Sequence, residues 1–244
     1  MTDNNLYQDD IIILRARDWQ TYDKIADAFS RSHGRILFIA YGARHIKNRN
    51  SALMQSLAHA SAQLAPGQKF DTLRQCELLE PLLASPEIAK FAYASFAAEL
   101  TIEATPEREP QEEIYHLLRG ALQAMNKRNP RLVILAFVMK LFSLCGISPS
   151  FDNCVCCGKA IEGSAWASAV QGGCVCGDCR TGAEADFSQS ARALSAALRN
   201  VDLAAAGGFT AKGHDLRALE DFLYKFVLAQ IEKPLKSLQF LSKL

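Results

Sequence analysis

Short apolar runs separated by turn residues dominate the first eighty residues. The segments DDIIILRAR and DKIADAFSRSHGRILFIAYGAR are rich in β-branched residues, and Ser32-His33-Gly34 interrupts the second as a turn would. APGQKFDTLRQCELLE has a Pro-Gly turn before another extended segment. LMQSLAHASAQL is ambiguous, because its composition also suits a helix. Five short strands without helical spacers predict a small β-barrel rather than a parallel sheet.

From about Glu80 onward, apolar residues recur every three or four positions, which is the helical period. Helices are predicted in SPEIAKFAYASFAAELTIEA, EIYHLLRGALQAMNK, NPRLVILAFVMKLFSLCG, SQSARALSAALRN and DLRALEDFLYKFVLAQIE. The third is apolar on nearly all sides, so we expect it to be buried. The acidic loop TPEREPQEE separates the first two, and its carboxylates from Glu107 to Glu113 are interpreted as solvated rather than catalytic.

A cysteine-rich segment interrupts the helical pattern. The predicted fold class is therefore α+β and multidomain, with a β-barrel of the OB type over 1–80 and a helical domain over 81–150 and 183–244. The cysteine-rich segment, 151–182, is predicted to be a four-cysteine zinc-ribbon insertion between helices of one bundle.

Composition places the chain among ordinary globular proteins. Of its 244 residues, 49% are hydrophobic and 22% are charged, and the net charge of +1 argues neither for nor against a nucleic-acid partner. The start, MTDNNLYQDD, has no export signal, and the apolar run around Lys140 is too short to span a bilayer. We expect a cytoplasmic protein without membrane contact, in which thiols stay reduced and paired cysteines bind metal.

Six of the eight cysteines lie in NCVCCGKAIEG and GGCVCGDCR. A Cys-x-x-Cys turn aims two sulfur atoms at one point, and two such turns are separated here by 18 residues, 158–175, as in zinc ribbons. The spacing selects Cys154, Cys157, Cys176 and Cys179 as ligands. Cys156 and Cys174 should then point elsewhere. The alternative is six free thiols packed as small hydrophobic residues.

Four thiolates would fill the coordination shell of zinc, so the metal would support the fold and leave no open position for a reacting water. None of the five histidines lies in a hydrolase, metalloprotease or phosphate-loop motif. We therefore predict that the protein is not an enzyme.

Charge is unevenly distributed along the predicted barrel. The interval between Asp27 and Asp71 has no acidic residue but has six basic ones: Arg31, Arg35, Arg44, Lys47, Arg49 and Lys69. Three aromatic residues, Phe29, Phe38 and Tyr41, lie in the same interval. A basic groove with aromatic platforms is typical of barrels that bind single-stranded nucleic acid. The alternative is that Phe29 and Phe38 fill the barrel and the cations only keep its surface soluble.

Several segments, in this order and spacing, resemble the RecO family of bacterial recombination mediators. They are ILRARDW, HGRILFIAYGAR, LRQCELLE, LFSLCGISPSFDNCVCCG, GGCVCGDCR and KPLKS. The resemblance implies a non-enzymatic, nucleoid-associated protein that binds single- and double-stranded DNA and anneals complementary strands. It further implies cooperation with RecR and with the SSB C-terminal tail to place RecA on gapped DNA.

The resemblance also implies site residues. One structural Zn²⁺ per chain falls on the same four cysteines, and Cys156 and Cys174 become extra thiols. DNA contacts on the barrel fall on Arg35, Arg44, Lys47 and Arg49. Two cations usual in the family are replaced here, by Tyr41 and Leu238. An apolar groove near residues 216–236 is the expected site for the SSB tail. A zinc-stabilised helical scaffold with incidental DNA contact is the alternative function.

Overall fold

A computed structural model describes residues 6–45, 48, 50–51, 54–84, 87–203, 211 and 213–242. These residues form a five-stranded barrel, six α-helices and a small three-stranded sheet, beside which most of the cysteines lie in turns. The α+β architecture with an OB-like barrel, a helical region and a four-cysteine cluster is as predicted.

The barrel is closed and has the strand order β1-β2-β3-β5-β4. Its strands are β1 (Tyr7–Trp19), β2 (Asp23–Ser30), β3 (Gly34–Ala40), β4 (His59–Ala65) and β5 (Asp71–Leu78). All neighbours are antiparallel except β3 and β5, which pair in parallel through Phe38–Asp71 and Ile39–Thr72. The ambiguous segment LMQSLAHASAQL contributes β4, because pairing with both β1 and β5 outweighs its weak intrinsic preference.

Two of the three aromatic residues considered as base platforms are packing residues. Phe29 and Phe38 are completely buried, Phe38 inside the barrel and Phe29 in the cluster shared with the helices. Tyr41, in contrast, is 60% exposed. For Phe38 the reason is the alternation of buried and half-buried residues along β3, since every second side chain must face the barrel interior, whereas Phe29 lies in β2 and is covered by the helices.

The helical region has one element that is apolar all round, as expected. The helices are α1 (Ile88–Ala104), α2 (Glu112–Ala124), α3 (Pro130–Leu144), α4 (Gln189–Asn200), α5 (Gly213–Ile231) and α6 (Lys236–Leu241). Helix α3 is buried along most of its length and begins with an Asn129 cap followed by Pro130. The spacing of apolar residues in the sequence did not predict α6. It packs on α1, where the Glu99 carboxylate accepts from the Ser237 backbone N–H at 2.8 Å.

The small sheet has the order β7-β6-β8, with β6 at Ala165–Ser168, β7 at Gly173–Val175 and β8 at Ala185–Phe187. We call residues 150–187 the cysteine module. Its Phe151 ring stacks on Phe187 at 5.3 Å between centroids and meets Phe222 of α5 edge-on at 5.1 Å. One hydrophobic core therefore runs from the helices into the module.

The acidic loop between α1 and α2 is attached to the barrel. Its carboxylates are exposed to solvent, as expected, but the loop also contacts the barrel: Glu107 pairs with Arg35 at 3.0 Å, and Arg108 pairs with the buried Asp71 at 2.7 Å. The Arg108 backbone N–H also donates to the Arg35 carbonyl at 2.8 Å. The loop is therefore attached through a carboxylate on a barrel arginine, through an arginine on a barrel carboxylate and through one backbone hydrogen bond.

Candidate metal centre and nucleic-acid interface

The sulfur atoms of Cys154, Cys157, Cys176 and Cys179 all lie within 4.8 Å of one another. The pair Cys157 Sγ–Cys176 Sγ is 3.8 Å apart. A tetrahedral thiolate site with Zn–S bonds of about 2.3 Å has sulfur–sulfur edges of roughly 3.8 Å. The four sulfur atoms thus fit one metal ion, and they are the four that the spacing selected.

Two local turns aim these thiols. In the first, the Gly158 N–H donates to the Cys154 carbonyl at 2.8 Å, and Gly158 has a φ of +74°. Such a φ favours glycine, which explains the residue that follows the Cys-x-x-Cys pair. In the second, the Cys179 N–H donates to the Cys176 carbonyl at 3.2 Å within the 3₁₀ turn Gly177–Cys179.

Close backbone contact brings the two turns together. The Val155 N–H donates to the Cys174 carbonyl at 2.9 Å, and the Cys174 N–H donates to the Ser150 carbonyl at 2.8 Å. A Cβ at Gly173 would lie 2.1 Å from the Ser150 oxygen. Only glycine therefore lets β7 approach the first cysteine turn this closely.

The electrostatics of the cluster favour a bound cation. Burial raises the pKa of Cys154, but hydrogen bonds from the backbone N–H groups of Cys176, Cys157 and Cys156 outweigh burial and lower the pKa to about 6. Hydrogen bonding with Cys157 and Cys176 raises the pKa of Cys179. Crowded thiols cannot all ionise without a compensating charge, and metal ligation requires them to be thiolates.

The other cysteines are not members of this four-sulfur cluster, although the Cys156 thiol hydrogen-bonds with that of Cys154. Cys174 is fully buried in β7, and burial raises the pKa of its thiol to about 12, so it behaves as a core residue. Cys156 is exposed between the first two ligands. Cys76 is also buried, and desolvation raises its pKa to about 11.

The predicted DNA-binding set is not one open cluster. Arg35 has a side chain only 15% exposed; it donates to the Ile102 carbonyl at 2.8 Å and to Glu107 at 3.0 Å. These contacts join the barrel to α1 and its following loop. Of the other three predicted cations, Lys47 and Arg49 lie outside the described residues, and Arg44 is accessible.

Arg44 lies among the loops at one end of the barrel. Its guanidinium donates to the Gln20 and Thr21 carbonyls at 3.2 and 2.9 Å and lies 3.3 Å from the Asp18 carboxylate, while 40% of its side chain is exposed. Arg44 therefore braces the β1–β2 turn and still presents a charged edge to solvent.

Several aromatic residues lie on the barrel loops near the turn that Arg44 contacts. Tyr22 stacks on His45 with 4.3 Å between ring centroids, Trp19 meets Phe70 at 6.2 Å, and the Lys69 ammonium lies 5.3 Å from the Phe70 ring. Trp19, Tyr22 and Tyr41 are each more than a third exposed. We call the following set the barrel loop face: Trp19, Tyr22, Tyr41, Arg44, His45, Lys69 and Phe70.

Most aromatic members of the barrel loop face were missed in the sequence. Trp19 and Tyr22 flank a polar turn that follows a strand, and large aromatic residues at such turns are a usable signal of surface function. Phe70 gives no local signal, because it meets Trp19 only through barrel closure. Lys69 was not missed, because it is one of the six basic residues between Asp27 and Asp71.

A second surface feature is an apolar groove of about 700 Å³ between the barrel and helices α1 and α6. Its walls include the exposed side chains of Ile88, Phe91 and Phe240, with Arg15 and Lys236 at its edge. The segment 216–236, where a groove was predicted, contributes only Lys236 here. Arg217, Asp221 and Lys225 of that segment instead line a more polar groove of about 430 Å³.

No helix in the described ranges is long and apolar enough to cross a membrane. The fold and site together define a class: an OB-like barrel joined to a helical region that carries a four-thiol centre. The family model for the recombination protein O N-terminal domain matches residues 1–82, and the model for its C-terminal domain matches 85–239. The chain belongs to the RecO family of DNA repair proteins.

Individual relatives match over nearly the whole length. DNA repair protein RecO of Symbiobacterium thermophilum is 35% identical, with 98% of each chain covered. The protein of the same name from Pelotomaculum thermopropionicum is 32% identical over 98% of this chain and 94% of the relative. That of a Nocardioides species is 28% identical over 98% of this chain and 100% of the relative.

Proposed function

We propose that this protein is a non-enzymatic recombination mediator that binds single- and double-stranded DNA and anneals complementary strands. It would act with RecR to load RecA on gapped DNA covered by SSB, in the bacterial cytoplasm at the nucleoid. The observation that carries the proposal is the barrel loop face, on which exposed aromatic rings and cations lie together on an OB-like barrel. Such surfaces suit a flexible single strand.

The mechanism follows from charge and stacking. Two complementary strands repel each other through their phosphates, and cations such as Arg44 and Lys69 reduce that repulsion. Aromatic rings such as Trp19 and Tyr22 hold bases by their faces, which leaves the hydrogen-bonding edges free to find a partner strand. Arg35 would support the binding surface through its contacts with Ile102 and Glu107, and Lys47 and Arg49 would add phosphate contacts.

The metal would support the fold. Cys154, Cys157, Cys176 and Cys179 would hold one Zn²⁺, which supplies a positive charge that keeps all four thiolates ionised. With four sulfur ligands the ion would have no open coordination position. Its role would be to hold the two cysteine turns together.

The apolar groove suits the SSB C-terminal tail. Ile88, Phe91 and Phe240 offer apolar walls; Lys236 provides a cation for an acidic peptide, and so does Arg15, which also pairs with Asp27 at 2.9 Å. Apolar anchors with opposite charge at the rim are a common way to hold such a segment. Substitution of Phe91 by alanine should weaken binding of the tail peptide in a titration while leaving oligonucleotide binding unchanged.

Strand annealing across a salt series tests the proposed function. The purified, metal-loaded protein should accelerate pairing of two complementary oligonucleotides, and the acceleration should fade steeply with salt. Four to six phosphate contacts give a slope of log affinity against log salt of roughly −3 to −4 for a single strand. A folded, zinc-bound protein that neither binds nor anneals oligonucleotides would favour the interaction-scaffold alternative.

A further inference from the structure

Asp71, the first residue of β5, is a fully buried carboxylate that joins three parts of the molecule. It accepts hydrogen bonds from the Tyr7 hydroxyl at 2.5 Å, from the Gly67 backbone N–H at 2.9 Å and from the Arg108 guanidinium at 2.7 Å. These donors come from β1, from the β4–β5 loop and from the loop between α1 and α2. A buried charge needs such partners, so its position is closely determined.

The β4–β5 loop depends on this carboxylate for its shape. A Cβ on Gly67 would lie 2.0 Å from the Phe70 carbonyl oxygen, so the turn from 67 to 70 closes tightly on itself. Asp71 fixes one side of that turn through the Gly67 N–H. The turn carries two residues of the barrel loop face: Phe70, whose ring meets Trp19, and Lys69, whose ammonium lies over the Phe70 ring.

Arg108 is held in place to reach Asp71. It has a φ of +59°, which is costly for a residue with a Cβ, and its N–H donates to the Arg35 carbonyl at 2.8 Å. At Gly34 a Cβ would lie 1.8 Å from the Glu109 oxygen, so the loop between α1 and α2 lies directly on the barrel backbone. The guanidinium then lies 2.7 Å from Asp71 and 3.4 Å from the Gly67 carbonyl.

We propose that Arg108 is a positioning residue for DNA binding: from the helical region, it fixes the β4–β5 loop so that Lys69 and Phe70 face the strand. The inference rests on the proposed function of the barrel loop face. Arg108 acts through Asp71 and Gly67 rather than by touching phosphate. The helical region thereby sets the affinity of a surface that belongs to the barrel.

A double-mutant cycle with Lys69 tests this role. Single-stranded oligonucleotide affinity is measured for the wild type, Arg108→Gln, Lys69→Ala and the double variant, across a salt series. Arg108→Gln alone should weaken binding about 3- to 10-fold, and in the Lys69→Ala background it should weaken binding less than about 2-fold, since residues that act together are not additive. In that background it should also leave the salt slope unchanged. Losses that multiply, with a slope flattened by about 0.7 in both backgrounds, would show direct phosphate contact and overturn the inference.

Two further variants separate positioning from general effects. Arg31→Gln also removes a cation that joins barrel and helix, through Glu112, but it has no bond to the β4–β5 loop, so it should leave the Lys69 contribution intact. Arg108→Lys keeps the charge near Asp71 and should restore part of the affinity; it also serves if Arg108→Gln does not fold. Full loss in Arg108→Lys with additive behaviour contradicts the proposal. A wild-type protein that does not bind oligonucleotide overturns the proposed function itself.

Discussion

The cysteine module and the barrel loop face differ in what holds them. In the module, four sulfur atoms converge within 4.8 Å, and Phe151 continues the packing of the helices. On the barrel loop face, rings such as Trp19 and Tyr22 stand partly in solvent, and hydrogen bonds to loop backbone keep Arg44 in place. Substitutions in the module should therefore change stability first, and those on the loop face should change DNA affinity with little effect on stability.

The largest effect should come from removing a metal ligand. Cys154→Ser leaves three thiols, and metal binding in small zinc modules contributes of the order of 10 kcal/mol to folding. We expect the variant to lose stoichiometric zinc and to unfold at a lower temperature, as measured by metal analysis and thermal denaturation. Cys156→Ser is the matched control and should keep one zinc per chain. Loss of zinc in the control would show that the ligand set is wrong.

The shared core gives the next largest effect. Phe222 is 4% exposed and contacts both Phe151 and Phe187, so Phe222→Ala removes packing between α5 and the module. A buried phenylalanine truncated to alanine costs about 3–5 kcal/mol. Denaturant unfolding should report that loss of stability. The affinity of the variant for zinc should also be lower than that of the wild type. The exposed Leu228→Ala on the same helix should change neither quantity, and equal losses in both variants would contradict a shared core.

The same difference explains what the sequence could predict. Both cysteine turns are local: each pair of ligands lies three residues apart, so the spacing alone selected four thiols that the fold brings together. Four of the barrel strands and the buried helix α3 were also predictable, because their side-chain periods are local. β4 was ambiguous since HASAQLA has little preference of its own and becomes a strand by pairing on both sides.

The composition of the barrel surface was harder to predict, because it depends on closure. Trp19 and Phe70 are far apart in sequence and meet only when β5 closes against β3. Arg35 reads as a free cation in the sequence, yet its partners Ile102 and Glu107 come from the helical region. A charge pattern gives the sign of a surface, whereas tertiary contacts decide which of its cations remain available.

Trp19→Ala should weaken DNA binding with little loss of stability. Stacking of one base on an aromatic ring contributes about 1–3 kcal/mol, so oligonucleotide binding should weaken about 5- to 150-fold. The melting temperature should fall far less than in Phe222→Ala, because Trp19 is 37% exposed and Phe222 only 4%. Phe240→Ala, which removes an exposed ring from the apolar groove, is the control and should leave oligonucleotide binding unchanged. Similar losses of oligonucleotide affinity in both variants would show that DNA binding is not specific to the barrel loop face.

Arg44→Ala should have the smallest effect, because part of the guanidinium is already committed to the Gln20 and Thr21 carbonyls and to Asp18. One lost phosphate contact should weaken binding to all sequences alike and flatten the single-strand salt slope by about 0.7. Arg44→Lys should keep the slope while losing the bonds to the β1–β2 turn. If Arg44→Ala lowers affinity with the slope unchanged, the arginine acts by bracing that turn, and phosphate contact then falls to other cations such as Lys69. DNA affinity and its salt slope, measured together, thus distinguish two roles of Arg44: bracing the β1–β2 turn and contacting phosphate.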